Sequence, residues 1–570
     1  MSLALYPHQE DGVQWLMQHD QTPPSVLGVI SHGGLLCDDM GLGKTIQLIA
    51  LMTICPKKRT LLVTPVSVCR QWEEQMCKAG LGPTYEMVAA KKVRLVTWNA
   101  ERECVQAGAV TDLDALPETA VLVTTYGRIR PEKRYTAPWH ERNAKPLENP
   151  ECVPFYPLTW DRVILDEAHH IKGGGLTTLR AQRLAMNPGG SRWALTATPL
   201  QNHEHELVHL CQWVAGGQLA GVGWNRILKQ WFPAKVLRRT IKTLPAEMRS
   251  VIDYPTEECN EQNVSVIYRS AEEAAFYKWA TGAVMTQIEG LRGYTDRQQA
   301  SQLMLQYTLQ LRMLAVHPNL FIRCRNNKLR VGEEPMELWS GRVTKNEMVI
   351  ETIEKYINER KNFAIFTHFN EELELFKHEI ERRGVKVFTV RGGMSGAARY
   401  NAIQESRSYG EYATVMDVLA NRLPEELCEY ITGMVSPVQA FLIQIRAGGA
   451  GLNLQHIHNV IIPSPDWNPT VEDQAIGRCY RIGQKNRVNV HRFHLDDVAG
   501  ANRQIERHIQ QVQNRKRQLI HRFIDKTESD MPQTNAAGVR NIPLAPTLQQ
   551  RLGDMHRRQQ PLLHIVKASQ

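Results

Sequence analysis

Cysteine is sparse and disorganised in this chain: eleven among 570 residues, an odd number, scattered and never spaced C-x-x-C. That excludes a disulfide framework, a zinc finger or a RING, and it points to a reducing compartment. Long hydrophobic runs are missing too; none approaches the ~18–20 residues of a membrane span. The segment Met1-Ser2-Leu3-Ala4-Leu5-Tyr6-Pro7-His8 lacks the basic and apolar regions of a secretory signal, so an intracellular location is expected. No period of the solenoid kind recurs. What remains is ordinary globular composition, 42% hydrophobic and 22% charged, over a length that suits two or three domains rather than one core.

The net charge of +9 is unevenly placed, because residues 501–570 hold twelve Lys and Arg against five Asp and Glu. A basic surface favours polyanions such as nucleic acid.

The most informative stretch is Cys37-Asp38-Asp39-Met40-Gly41-Leu42-Gly43-Lys44-Thr45. Two glycines let the backbone turn tightly and aim its N–H groups at phosphate oxygens. Lys44 can then reach the β- and γ-phosphates, and the Thr45 hydroxyl can ligate Mg²⁺. The strict pattern G-x-x-x-x-G-K-[ST] fails at its first position, where Asp38 stands. Apolar runs on both sides, Leu35-Leu36 and Ile46 to Met52, supply the strand–loop–helix context. A second motif follows: Val163-Ile164-Leu165 reads as a buried parallel strand and ends in Asp166-Glu167-Ala168-His169. Acidic residues at such a strand end sit where an open α/β sheet places its ligands. Asp166 can hold Mg²⁺, and Glu167 can orient and deprotonate an attacking water. The pair of motifs predicts hydrolysis of a nucleoside triphosphate.

Residues 25–215 alternate short apolar runs with helical or loop segments. The predicted strands are Thr60 to Val63, Val93 to Thr97, Ala120 to Thr124, Val163 to Leu165 and Arg192 to Leu195. The rhythm is that of a parallel sheet. A Pro- and charge-rich insert, roughly 130–158, reads as a surface loop. Residues 222–344 read as mostly helical, with Ala271 to Gln287 and Arg297 to Ala315 the clearest periods. A second βα series then offers Phe363 to Phe366, Val385 to Val390, Phe441 to Ile445, Val460 to Ile462 and Val488 to Phe493. The expected organisation is a first lobe at 1–221, a helical linker and protrusion at 222–344, a second lobe at 345–525 with an insert at 403–437, and a basic, loosely ordered tail at 526–570.

Further motifs stand in order: Tyr6-Pro7-His8-Gln9, Leu61-Leu62-Val63-Thr64-Pro65, Gln71-Trp72-Glu73-Glu74, Val123-Thr124-Thr125-Tyr126 and Thr196-Ala197-Thr198-Pro199-Leu200-Gln201-Asn202. In the second half come Arg446-Ala447-Gly448-Gly449-Ala450-Gly451-Leu452-Asn453, Asp466-Trp467-Asn468-Pro469 and Gln474-Ala475-Ile476-Gly477-Arg478-Cys479-Tyr480-Arg481-Ile482-Gly483-Gln484. This ordered set resembles the Swi/Snf-type ATPases of helicase superfamily two, DEAH-box motors of chromatin remodelling, repair and transcription. The compact versions carried by large DNA viruses or microbes are similar in build.

The resemblance implies an α/β fold of two RecA-like parallel-sheet lobes with a helical insertion between them, and ATP with Mg²⁺ as cofactors. It assigns nucleotide contacts to Gln9 and to Asp38, Asp39, Met40, Gly41, Leu42, Gly43, Lys44 and Thr45, with Thr45 and Asp166 on the metal. Gln9, whose amide both donates and accepts, would read the adenine edge. Lys44, Asp166 and Glu167 would act from the first lobe; Gln474, Arg478 and Arg481 from the second, the two arginines as fingers for the γ-phosphoryl charge. Thr64, Thr124 and Arg446 would meet nucleic-acid phosphates. Thr196 and Thr198 lie where ATP and DNA sites communicate in this family. Ala197 stands in place of the usual glycine, Tyr480 in place of the usual histidine, and Arg503 to Ile509 lacks the usual Thr-Ile-Glu-Glu.

His205-Glu206-Leu207-Val208-His209 fits H-E-x-x-H, a zinc-protease pattern. It directly follows Thr-Pro-Leu-Gln-Asn, where this family has an amphipathic helix, so packing explains it and no zinc is expected. The expected activity is ATP-dependent translocation on double-stranded DNA, with nucleosomes or other DNA-bound proteins as partners and no membrane. The alternatives are a strand-separating DNA or RNA helicase and an inactive DNA-binding scaffold. The nucleus would house it in a eukaryotic cell, the replication site or virion in a virus.

Overall fold

The computed structural model describes residues 5–523 apart from 90–91, 99–103, 107–109, 118, 130–157, 174, 183, 185, 242, 246–247, 249–258, 292–295, 330–333, 396–397, 400, 410–437, 448–453, 482 and 497–503. All but the last residue of the expected loop at 130–158, most of the insert at 403–437 and the tail at 526–570 lie outside the described residues. These residues fall into two compact units, one drawn from Met1–Ile252 and Leu519–Gln570, the other from Asp253–Gln518.

The first unit is built on one large sheet. Its main strands are β1 (Gly33–Leu36), β2 (Arg59–Thr64), β3 (Thr84–Ala89), β4 (Lys92–Trp98), β5 (Ala120–Thr125), β6 (Trp160–Asp166), β7 (Met186–Leu195) and β8 (Val236–Leu237). They lie in the order β8-β1-β7-β6-β2-β5-β3-β4. Pairing is parallel from β8 to β3. The central strands have no solvent face, and Val163, Ile164 and Leu165 of β6 and Leu61, Leu62 and Val63 of β2 are all fully buried, which is why they read as unbroken apolar runs. One expectation is corrected: β4, predicted as part of the parallel series, runs antiparallel to β3. Only a few residues separate the two, too few for a crossover helix.

Register sets up the site. Asp166 stands opposite Leu195, and Leu195 opposite Leu36. The carboxyl ends of β1, β7 and β6 therefore align, each followed by a motif segment: Cys37–Gly43, Thr196–Thr198 and Glu167. This is the edge where open α/β sheets bind ligands. Helix α1 (Pro7–Gln21) and helix α2 (Lys44–Ile54) pack together beside that edge.

The second unit carries β9 (Asn260–Val266), β10 (Phe363–Thr367), β11 (Lys386–Val390), β12 (Gln439–Gln444), β13 (Asn459–Ile462) and β14 (Asn489–Leu495), in the order β9-β14-β13-β10-β12-β11. All of its pairings are parallel. The α/β class of parallel sheets stands as expected.

The stretch 222–344 is not helical throughout. It holds the predicted helices at Ala271–Gly290 and Arg297–Val316, but β8 joins the first sheet and β9 the second. Residues of β9, Asn-Glu-Gln-Asn-Val-Ser-Val, are mostly solvent-facing on a sheet edge, so no apolar alternation marks the strand. Among the described residues no helix is long and apolar enough to cross a membrane.

Candidate active site

The phosphate loop begins where β1 ends. Gly41 and Gly43 take φ of 86° and 82°, in the left-handed region that favours glycine. A side chain at Gly43 would also run into the Gln9 amide nitrogen. Lys44 opens α2 and folds back over the loop, its Nζ donating to the carbonyls of Asp38 at 2.7 Å and Asp39 at 3.1 Å. Burial pulls the Lys44 ammonium below its ordinary pKa, while Glu167, Asp38 and Asp39 pull it back up.

Both oxygens of Asp166, at the end of β6, are held. Oδ2 accepts from Trp72 Nε1 at 2.7 Å and from Thr64 Oγ1 at 3.2 Å, and Oδ1 accepts from the Glu167 backbone N–H at 2.9 Å. Its carbonyl accepts from the Tyr126 hydroxyl at 2.8 Å. Burial and the neighbouring Glu167 push the Asp166 carboxyl up to about 6, opposed by Trp72 and Lys44. Glu167 adopts φ 49°, a left-handed backbone that a glutamate enters only at a cost. That turn brings Glu167 Oε2 within 3.3 Å of His169 Nδ1, which also lies 3.4 Å from Thr196 Oγ1. The Thr196 oxygen in turn accepts from the Thr198 N–H at 3.1 Å. A row of close polar contacts thus runs from the acidic pair into the turn after β7.

This donor set fits a magnesium nucleotide. Carboxylate and hydroxyl oxygens suit a hard cation, a lysine sits in the loop, and the glycine cradle is one that a Cβ at Gly43 would fill.

Several predicted residues are placed differently from the expectation. Thr64 and Thr124 are 0% and 2% exposed. The Thr64 hydroxyl is turned onto Asp166 and the Thr124 hydroxyl toward Met87 Sδ. In the sheet Thr64 stands opposite Thr125 and Thr124 opposite Val63, at the carboxyl ends of β2 and β5. The Asp38 side chain is likewise buried, and it bonds Arg239 and Gln47 rather than facing the cradle. Asp39 pairs with Arg238 at 2.7 Å. Gln9, expected at the adenine edge, has its Nε2 donating to the Leu42 carbonyl at 3.3 Å and its Oε1 accepting from the Tyr6 N–H at 3.1 Å. His8 Nε2 and Gln47 Nε2 share that same carbonyl.

In the second unit, Asn468 Oδ1 accepts from the Thr470 N–H at 3.2 Å and caps helix Pro469–Ile476, with proline at its first turn. Asp466 Oδ1 in turn accepts from the Asn468 N–H at 2.9 Å. The Asp-Trp-Asn-Pro motif is therefore a helix start, and the helix carries Gln474. Gln474 and Arg478 are largely buried, and Arg481 is half-buried. The Arg446 side chain is 73% exposed, 3.9 Å from Asp466 Oδ2.

The H-E-x-x-H segment has another use: Glu206 Oε2 accepts from the N–H groups of Gln201 at 2.7 Å and Asn202 at 3.0 Å. Among the described residues no group of three or more His, Cys, Asp and Glu is arranged to hold a metal ion. Trp72, Tyr126, Arg238 and Arg239 were not predicted as site residues. The first two lie inside recognised motifs. The arginine pair has no periodicity or spacing to mark it.

Comparison with known proteins bears on this geometry. The SNF2-related domain model matches residues 8–320, and the helicase conserved C-terminal domain model matches residues 425–483. An uncharacterized ATP-dependent helicase of Schizosaccharomyces pombe is 24% identical, over 91% of this chain and 60% of its own. A probable global transactivator of Orgyia pseudotsugata multicapsid polyhedrosis virus is 23% identical, over 92% of each. A putative ATP-dependent helicase/translocase of Bacillus subtilis is 26% identical, over 86% of this chain and 46% of its own. The chain thus spans less than two thirds of the yeast and bacterial relatives and nearly all of the viral one. The SWI2/SNF2 ATPase core of Sulfolobus solfataricus, solved in complex with dsDNA, is 22% identical over 95% of this chain and 97% of its own, with a TM-score of 0.33. With more than half of its residues matched by that one model, the chain belongs to the SNF2-related domain family.

Proposed function

We propose that this chain is a DNA-dependent ATPase that moves along double-stranded DNA and remodels or displaces proteins bound there. The observation that carries the ATPase reading is one of register: Asp166 stands opposite Leu195 and Leu195 opposite Leu36, so the Lys44 loop after β1 and the acidic pair that ends β6 leave the same edge of the sheet. A cation for phosphate oxygens and two carboxylates thus share one edge of one sheet.

Bound magnesium would neutralise charge on the β- and γ-phosphate oxygens. Thr45 Oγ1 and an Asp166 carboxylate oxygen would hold it, the latter already oriented by Trp72 and Thr64. Lys44 Nζ exchanges the Asp38 and Asp39 carbonyls for phosphate oxygens. Glu167 Oε accepts the proton of the attacking water, with His169 beside it. Gln474, Arg478 and Arg481 are assigned to the γ-phosphoryl oxygens, where cationic donors stabilise transition-state charge. Arg446, exposed on the second unit, is assigned to DNA phosphate.

Movement on duplex DNA is supported by family membership, by the basic excess of residues 501–570 and by the translocase name of the Bacillus relative. The work would then take place with the DNA of a cell or a virus. An assay with a third strand annealed as a triplex tests it. ATP-dependent displacement of the third strand, with a forked duplex left paired, is expected. Strand release from the fork at the rate of ATP use would replace the translocase by a helicase.

A further inference from the structure

Arg239 lies just past β8, 201 positions from Asp38, yet its groups converge on the phosphate loop. Its backbone N–H and Nε donate to Asp38 Oδ1 at 3.1 and 3.0 Å. Nη2 donates to Asp38 Oδ2 and, at 2.9 Å, to Gln47 Oε1, while Nη1 donates to the His8 carbonyl. The Arg239 carbonyl accepts from the Asp39 N–H at 2.9 Å, and the Leu237 carbonyl from the Cys37 N–H at 2.7 Å. Arg238 adds to the same grip: its Nη1 donates to the carbonyls of Cys37 at 2.8 Å and Ala197 at 3.3 Å. Gly12 on α1 makes room, since a side chain there would meet Arg239 Nη2 at 2.7 Å.

The need for this clamp follows from the sequence. Asp38 occupies the position that the strict phosphate-loop pattern gives to glycine. Its carboxylate is fully buried, and a buried carboxylate persists only where charge and donors meet it. The planar guanidinium supplies both, two-pronged. With its fork spent on His8, Asp38 and Gln47, Arg239 is a positioning residue rather than a phosphate ligand.

We propose that Arg239, acting through Asp38, holds the phosphate loop in its nucleotide-binding shape and so sets nucleotide affinity. The inference rests on the reading of the Lys44 loop as a nucleotide site. Two consequences distinguish it from a purely structural role. Loss of Arg239 harms binding chiefly because a buried carboxylate is left unpaired beside the loop, so neutralising Asp38 restores part of the affinity. The effect falls on KM for ATP more than on kcat, because the chemistry-bearing groups are untouched.

The test is ADP binding with magnesium by titration calorimetry on the full chain, comparing the parent with Arg239→Ala, Arg239→Lys and the double variant Asp38→Asn/Arg239→Ala, with melting temperature recorded for each. Arg239→Ala is expected to weaken ADP at least about tenfold and the double variant to recover part of that loss. Arg239→Lys, which keeps the charge but not the fork, is expected to weaken it roughly three- to tenfold. A parent that binds no ADP overturns the nucleotide reading itself. A parent that binds ADP, with a folded Arg239→Ala chain that binds within about twofold of it, overturns the inference. If Arg239→Ala does not fold, Arg239→Lys decides: unchanged ADP affinity overturns it.

Discussion

The indole Nε1 of Trp72 donates to Asp166 Oδ2 at 2.7 Å, joining helix Cys69–Lys78 to the end of β6. The bond aims a carboxylate that burial and Glu167 have already raised to about 6. It also holds that value down, because a donor to the charged oxygen favours ionisation.

Trp72→Phe removes the donor and keeps the bulk. The Asp166 pKa then rises further, so the group stays protonated to higher pH and its proposed hold on magnesium is lost at higher pH. The acid limb of kcat/KM for ATP should move upward by roughly one unit. An acid limb at the parent's pH contradicts this role.

Lys44→Ala and Glu167→Gln should each lower ATP turnover by roughly 10²-fold or more. They should differ in binding. Lys44→Ala removes the cation proposed to meet phosphate and should lose ADP affinity; Glu167→Gln leaves the loop untouched and should retain it. Calorimetry with phosphate-release kinetics separates the two, and near-parent turnover in Glu167→Gln refutes its assigned role.

A buried pair in the second unit gives a pH prediction for stability. Burial pushes Glu372 up to about 7, and burial with Arg312 pushes His368 down to about 4, while the His368 N–H donates to Glu372 Oε2 at 2.8 Å. The raised carboxyl binds a proton in the folded state that the unfolded chain releases above about 4.5, so its contribution to stability falls as pH rises from about 4.5 to 7. The depressed imidazole does the opposite, and its contribution is lost as pH falls from about 6.5 to 4. The slopes cancel where they overlap. Glu372→Gln removes the first alone, so its stability relative to the parent should increase between pH 4.5 and 7, by on the order of 3 kcal/mol in all. Urea titrations across that range check it; a flat difference contradicts it.

Arg446→Ala should weaken duplex binding and lower the salt slope by about one, the loss of one phosphate contact. Thr64→Val should leave the slope unchanged, because that hydroxyl faces Asp166. Filter binding across a salt series distinguishes them. A lowered slope in Thr64→Val would instead place a phosphate contact at that hydroxyl.

The strands that carry the site were legible because they are buried on both faces: Leu61 to Val63 and Val163 to Leu165 can be little else. The loop was legible from Gly41, Gly43 and Lys44, whose residue types are dictated by backbone shape and charge. What stayed hidden is tertiary. Edge strand β9 is polar and β8 only two residues long, so neither leaves a pattern. Thr64 and Thr124 fit a nucleic-acid motif by type, but which way each hydroxyl turns is fixed by the sheet around it. The bond from Arg239 to Asp38 spans 201 positions, and no local spacing announces it.

Phosphate release from ATP, measured side by side with no polymer, double-stranded DNA, single-stranded DNA, RNA and nucleosomes, tests the proposed motor most directly. Strong stimulation by double-stranded DNA, abolished by Arg478→Ala and by Arg481→Ala, is the predicted result. Turnover that duplex DNA leaves unchanged, or that survives loss of both arginines, would contradict it.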